Sequence, residues 1–119
     1  MDIEFEREWN KVLKKLAAQF GEDMDLQAIL FLIGIQELGK GHIALSKDQK
    51  VDVMHISVCR LLSRFGYYEY EGMDKDGWPH WKATAKLPHL KPAQQHELMK
   101  QAIVDYFSDS AEKERELPN

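Results

Sequence analysis

The two residues best spaced for catalytic chemistry are His55 and Cys59. They lie four positions apart, so on a helix their side chains share one face. A nucleophilic cysteine needs an accessible thiolate and a further group that orients its base. No such third group is found nearby in the sequence. We therefore interpret Cys59 as a half-buried structural cysteine and predict no catalytic residue.

Metal ligands form no complete set in this sequence. His55 and Cys59 have the spacing of two ligands, but no second pair completes a tetrahedral site. The segment Asp74-Lys75-Asp76-Gly77 resembles the start of a calcium loop, yet Trp78 and Pro79 follow where further oxygen ligands are needed. Turn chemistry explains these aspartates without an ion. The sequence therefore predicts no metal site.

A phosphate-binding loop is also missing its essential residues. Gly39-Lys40-Gly41 is not followed by the Lys-Ser/Thr helix start that cradles phosphates, and we interpret it as a hinge. Because no nucleophile, base and orienting group can be assembled, we predict a protein that is not an enzyme and has no cofactor.

The helices and strands that must position these residues belong to a chain about as long as one typical protein domain. It has 119 residues, 44% of them hydrophobic, and a formal net charge of −4 from 16 basic and 20 acidic residues. One cysteine excludes an internal disulfide, and the longest apolar run, 29–35, is too short to cross a membrane. We expect a single globular domain over 1–109, located in the cytoplasm.

Apolar residues at helical spacing predict four helices. Glycines follow the first two, Ser46 and Gln49 form a capping box at the third, and Pro92 suits the first turn of the fourth. The charged segment 110–119 is expected to be a disordered tail. Whether 46–65 is one helix or two remains open. The predicted helices span about 4–20, 25–38, 46–65 and 92–107.

Two aromatic runs around Asp76-Gly77 predict an antiparallel β-hairpin over 67–84. A two-residue turn would place Glu71 opposite Lys82, and a four-residue turn would place Glu69 there instead. In either register one face is apolar and must be covered. Its residues are Tyr68, Tyr70, Trp81 and Ala83.

The order of elements over 25–85 resembles a winged helix-turn-helix domain, in which the hairpin is the wing. The run from Val58 to Glu69 is similar to the end of a recognition helix entering the first wing strand. Two helices within 46–65, the first of them shortened, would satisfy this pattern, whereas one continuous helix would not. The predicted fold class is therefore α+β, mainly helical, with four helices and one antiparallel hairpin in a winged-helix-like arrangement.

The resemblance implies a DNA-reading surface on the outer face of the 46–65 helix. Arg60 and Arg64 could both reach phosphates, and Lys75 would lie at the wing tip. The hairpin weighs against this function, because residues 67–86 carry four acids and three lysines. A winged-helix DNA-binding regulator is therefore the alternative interpretation.

The first interpretation is a non-catalytic interaction domain that binds protein partners or itself. Helical angles place Val53 and Ile56 opposite the core stripe of their helix, where they suit a protein surface. Tyr67 and Trp78 are further candidate contacts, because aromatic residues carry much of the energy at interfaces. The helices 4–20 and 92–107 either complete one four-helix core or pair across a two-fold axis in a homodimer.

Overall fold

The computed structural model describes residues 2–41 and 43–116, and it confirms the α+β, mainly helical fold class. An antiparallel sheet of two strands accompanies the helices. Among the described residues, no helix combines the length and apolar character needed to cross a membrane. The elements, in chain order, are α1 (Ile3–Phe20), α2 (Leu26–Leu38), α3 (Lys47–Ser63), β1 (Tyr68–Met73), β2 (Pro79–Ala83) and α4 (Pro92–Glu116).

The chain divides into two compact units. One combines α1 with α4, and the other spans Asp25–Leu90 and holds α2, α3 and the hairpin. The expectation of a single domain over 1–109 stays a prediction.

In the first unit, α1 and α4 pack against each other. The carboxylate of Asp2 accepts the Phe5 N–H at 3.1 Å and begins α1, and Gly21 ends it in a left-handed conformation. Across the two helices, Lys100 Nζ lies 5.2 Å from the ring centre of buried Trp9 and 5.8 Å from that of Phe5. The amphipathic pattern of α1 is thus partly satisfied by α4.

The fourth helix begins at Pro92, as predicted, and is longer than its apolar pattern indicates. It continues to Glu116, whereas the prediction ended it near Phe107 and made 110–119 a disordered tail. Residues 117–119 of that segment lie outside the described residues.

In the second unit, side-chain caps begin both helices. Asp25 accepts the Ala28 N–H at 2.8 Å, and Ser46 and Gln49 form the reciprocal capping box. The segment 46–65 holds one continuous helix, α3, which settles the alternative left open by the sequence.

Close packing of α2 on α3 depends on Gly34. A Cβ atom at this position would lie 2.3 Å from the carbonyl oxygen of Val53, so only glycine permits this backbone approach. The predicted outward position of Val53 and Ile56 is therefore wrong: they are 0% and 5% exposed. The prediction assumed that α3 has one buried stripe. In the structure α3 contacts α2, with Val53 against Gly34, and it also contacts both strands of the hairpin.

Near the open end of the hairpin, the strands pair in the register that a four-residue turn would give. Glu69 lies opposite Lys82, and Tyr70 lies opposite Trp81. Beyond Tyr70 the register shifts by one residue, because β1 contains a bulge between Tyr70 and Gly72. This irregularity determines which side chains share a face at the far end of the hairpin.

Candidate functional site

The bulge in β1 brings four apolar side chains to one face of the hairpin. Met73 pairs with Pro79, and Tyr70 pairs with Trp81, so the two pairs follow each other on the same side. In a regular strand, Met73 would lie on the face opposite Tyr70, because successive side chains alternate. Gly72 lies in the bulge with φ of 104°, a conformation that residues with a Cβ rarely adopt.

These four residues line an open cavity of about 360 Å³ together with Glu37 from α2 and Arg60 from α3. We call this cavity the hairpin pocket. Tyr70 is 52% exposed and Met73 is 61% exposed, so two large apolar side chains at one cavity both meet solvent. The ring centres of Tyr70 and Trp81 lie 5.2 Å apart in a tilted arrangement. The cavity volume is at the low end for small-molecule sites, about 300–1,000 Å³.

An ion pair between α2 and α3 forms the polar part of the hairpin pocket. Arg60 Nε lies 2.5 Å from Glu37 Oε1, and both side chains are partly exposed. An exposed pair of this kind contributes about 0–1 kcal/mol to stability. The pair places one carboxylate and one guanidinium beside an apolar cavity.

The hairpin tip is organised by the carboxylate of Asp74. Its Oδ1 accepts the N–H groups of Asp76 and Trp78 at 2.9 and 3.0 Å, and its Oδ2 lies 2.8 Å from His80 Nε2. The Trp78 N–H bond, followed by the His80 side-chain bond, holds the pKa of Asp74 below its ordinary value. Lys40 Nζ donates to the Asp76 carbonyl at 2.7 Å and ties the tip to the α2–α3 connection.

The aspartates that resembled a calcium loop thus serve a turn. Asp74 uses both carboxylate oxygens within the hairpin. Across residues 2–41 and 43–116, wherever side chains are described, no three His, Cys, Asp or Glu side chains lie close enough to share a metal ion.

Of the residues predicted for nucleic-acid contact, Arg60 and Arg64 lie one helical turn apart at the end of α3, and Lys75 lies in the hairpin loop. Arg60 pairs with Glu37 at the hairpin pocket. Arg64 caps the C-terminal end of α3, where the chain enters the hairpin, and Lys75 is exposed at the opposite tip.

The two aromatic residues predicted to contact partners lie at opposite ends of the hairpin. Tyr67 precedes β1, and its ring centre lies 5.7 Å from that of Phe65. Trp78 precedes β2, in the loop that Asp74 organises. Both are partly buried, and neither lines the hairpin pocket.

His55 and Cys59 do meet, as their spacing predicts. Cys59 Sγ lies 3.4 Å from His55 Nε2, and the Cys59 side chain is completely buried. Burial raises the pKa of the Cys59 thiol to about 11. The thiol is therefore protonated at neutral pH, which is unsuited to nucleophilic chemistry.

Sequence reasoning missed most of the hairpin pocket. It assigned Tyr70 and Trp81 to a covered face and gave Glu37, Met73 and Pro79 no role. The available signal was Gly72, because glycine inside a strand pattern often marks a bulge.

The lining of the hairpin pocket is mainly apolar. Four apolar side chains and one ion pair line it, and the buried thiol of Cys59 is not among them. No protein-family model, curated protein or solved structure matches this chain.

Proposed function

We propose that this chain is a non-catalytic interaction domain that binds protein through the hairpin pocket. The observation that carries the proposal is the exposure of Tyr70 and Met73 at the mouth of an apolar cavity. When a partner covers adjacent exposed apolar side chains, the free energy of binding becomes more favourable by about 25 cal/mol per Å² of apolar surface removed from water.

The residue types at the hairpin pocket support this proposal. Tyrosine and tryptophan are enriched among the residues that dominate binding energy, and methionine adapts its unbranched side chain to a partner's surface. The Glu37–Arg60 ion pair supplies the polar border that usually surrounds an apolar contact. The cavity has room for a large apolar side chain of the partner.

We also propose that the unit Asp25–Leu90 is winged-helix-like. The single continuous helix α3 departs from the pattern of two helices within 46–65. In the proposed arrangement α2 and α3 would instead be the helix pair, and the hairpin would be the wing. The support is the element order together with the packing of α3 against α2 and against both strands. The wing would then present its apolar face to a protein.

The test is affinity capture with the full chain carrying Met73→Lys. A lysine at this exposed position adds a charge to the apolar surface, so recovery of the bound protein should fall about tenfold or more. The matched control is Val51→Lys, because Val51 is 64% exposed on α3 and does not line the pocket. Equal loss in both variants, or retention in Met73→Lys, would contradict the proposal.

Nucleic-acid binding has less support from the same geometry. Arg60 is engaged by Glu37, and Lys75 lies between two aspartates at the hairpin tip. Retention of random duplex DNA at low salt, lost on Arg64→Ala, would favour this alternative.

A further inference from the structure

We propose that the protein bound at the hairpin pocket is a second copy of this chain, related by a two-fold axis. The inference rests on the proposed function and names its partner. In such an interface the same surface is used twice, so it must be complementary to itself in charge and in shape.

Charge at the hairpin pocket meets this requirement. The ionic side chains that line it are one carboxylate, Glu37, and one guanidinium, Arg60, side by side. When two copies meet across a two-fold axis at this pocket, the Glu37 carboxylate of each copy can lie beside the Arg60 guanidinium of the other. Opposite charges across an interface favour association, and like charges oppose it.

Shape at the hairpin pocket also suits a reciprocal contact. Met73 lines the open cavity and is 61% exposed. In a two-fold arrangement each copy would place this exposed methionine against the pocket of the other. The flexible thioether side chain adjusts to such a space at low cost.

The inferred surface differs from the one predicted from the sequence. From the sequence, the helices 4–20 and 92–107 either complete a core within one chain or pair between copies, and in the structure α1 and α4 pack against each other within one chain. The apolar face at the hairpin pocket is more than half exposed at two of its residues.

The first experiment measures mass by light scattering over a range of concentrations. The wild-type chain should approach twice its mass of 13.9 kDa, and Val51→Lys should behave in the same way. Met73→Lys should raise the dissociation constant about tenfold or more. A wild type that stays at 13.9 kDa, or a Met73→Lys variant that dimerises normally, would overturn the inference.

The second experiment exchanges charges between copies. Glu37→Arg and Arg60→Glu should each weaken self-association about tenfold, because each brings like charges together in its own dimer. An equimolar mixture of the two should form a heterodimer with affinity near wild type, since every cross-copy pair is again opposite in sign. The double variant Glu37→Arg/Arg60→Glu is the folding control, because it keeps the ion pair within one chain. Failure of the mixture to associate would exclude this symmetric arrangement.

The two proposals fail in distinguishable ways. A monomeric wild type whose capture of another protein still depends on Met73 would overturn the second-copy inference and leave the interaction surface supported. A wild-type dimer that is insensitive to Met73 and to charge exchange would overturn the inferred interface itself.

Discussion

Gly34 is the residue on which the approach of α2 to α3 depends. Its missing side chain lets the Val53 carbonyl come within 2.3 Å of the position that a Cβ would occupy. The obstacle is backbone, so it cannot move aside as a flexible side chain would. Packing at this point therefore tolerates no added methyl group.

We expect Gly34→Ala to lower the free energy of unfolding by about 2–4 kcal/mol, because the helices must separate to admit the methyl group. Urea denaturation followed by circular dichroism measures this. Gln27→Ala, at an exposed position of the same helix, should change stability by less than about 0.5 kcal/mol. Equal stability of Gly34→Ala and wild type would show that the close approach does not occur.

Ser57 carries a polar atom that its surroundings do not satisfy. Its side chain is completely buried, and Oγ has no hydrogen-bond partner in the part of the chain that the structure describes. An unpaired buried hydroxyl costs about 1–3 kcal/mol.

Ser57→Ala should therefore raise the free energy of unfolding by about 1 kcal/mol, since it removes the hydroxyl and leaves the packed volume nearly unchanged. Thermal and urea unfolding check this. Ser63→Ala is the comparison, because Ser63 Oγ donates to the Arg60 carbonyl at 2.6 Å and its loss should not stabilise the protein. A destabilised Ser57→Ala would indicate that the hydroxyl is bonded.

The thiol of Cys59 should be slow to react in the native protein. With its pKa raised from 9.0 to about 11, the thiolate population at pH 8 should be about 100-fold below that of the unfolded chain. Alkylation rates with and without urea measure the difference, and equal rates would contradict burial of the thiol. The folded state favours the neutral thiol. The contribution of Cys59 to the free energy of unfolding is therefore complete below pH 9 and should be lost as pH rises through about 11.

At the scale of elements, the hairpin shows how one irregular residue builds a surface. The bulge places Met73 on the Tyr70 face, and the Asp74 loop then returns the chain so that Pro79 meets Met73. A regular hairpin of the same composition would turn Met73 to the opposite side. The pocket is thus a product of strand register as well as of residue type.

Gly72→Ala should both destabilise the hairpin and weaken binding at the pocket. Its φ of 104° is unfavourable for a residue with a Cβ, by about 1–2 kcal/mol. Unfolding experiments and the concentration dependence of mass measure the two effects. Glu71→Ala, the adjacent exposed position, should change stability by less than about 0.5 kcal/mol. An unchanged Gly72→Ala would argue against the bulge.

At the scale of the whole molecule, the net charge is unevenly divided between the two units. Residues 25–90 contain eight acidic and eight basic residues, so the formal charge of −4 belongs entirely to the remainder of the chain. The unit that holds the hairpin pocket is therefore neutral overall. Neutrality removes long-range repulsion between two copies of this unit, and it gives no general attraction to nucleic acid.

The segment 25–90 should fold when it is expressed alone, because it includes completely buried residues from two helices, among them Ile29, Ile33, Val53 and Leu61. Circular dichroism should show helix, and thermal unfolding should be cooperative. The full chain is the reference. A segment that unfolds without cooperativity would instead favour the single domain predicted over 1–109.

Local signals determined much of the secondary structure. The capping box at Ser46, the stop at Gly39 and the start at Pro92 lie where the sequence predicts, because each depends on hydrogen bonds or backbone angles within one turn. The existence of the hairpin is likewise a local signal, whereas the structure selects Glu69 opposite Lys82 from the two registers that the sequence leaves open. The exception is the end of α4, which extends past its last large apolar residues to Glu116.

Which faces of the helices and of the hairpin are buried depends on the tertiary structure. Val53 and Ile56 are core residues of α3, which contacts both α2 and the hairpin. Val53 lies against Gly34 of α2 and His55 lies against Tyr68 of β1, a pattern that a single apolar stripe does not reveal. Met73 joins Tyr70 at the hairpin pocket only because one extra residue in β1 shifts the strand register. Periodicity along one segment predicts its regular structure, whereas burial and surface depend on neighbours distant in sequence and on departures from regularity.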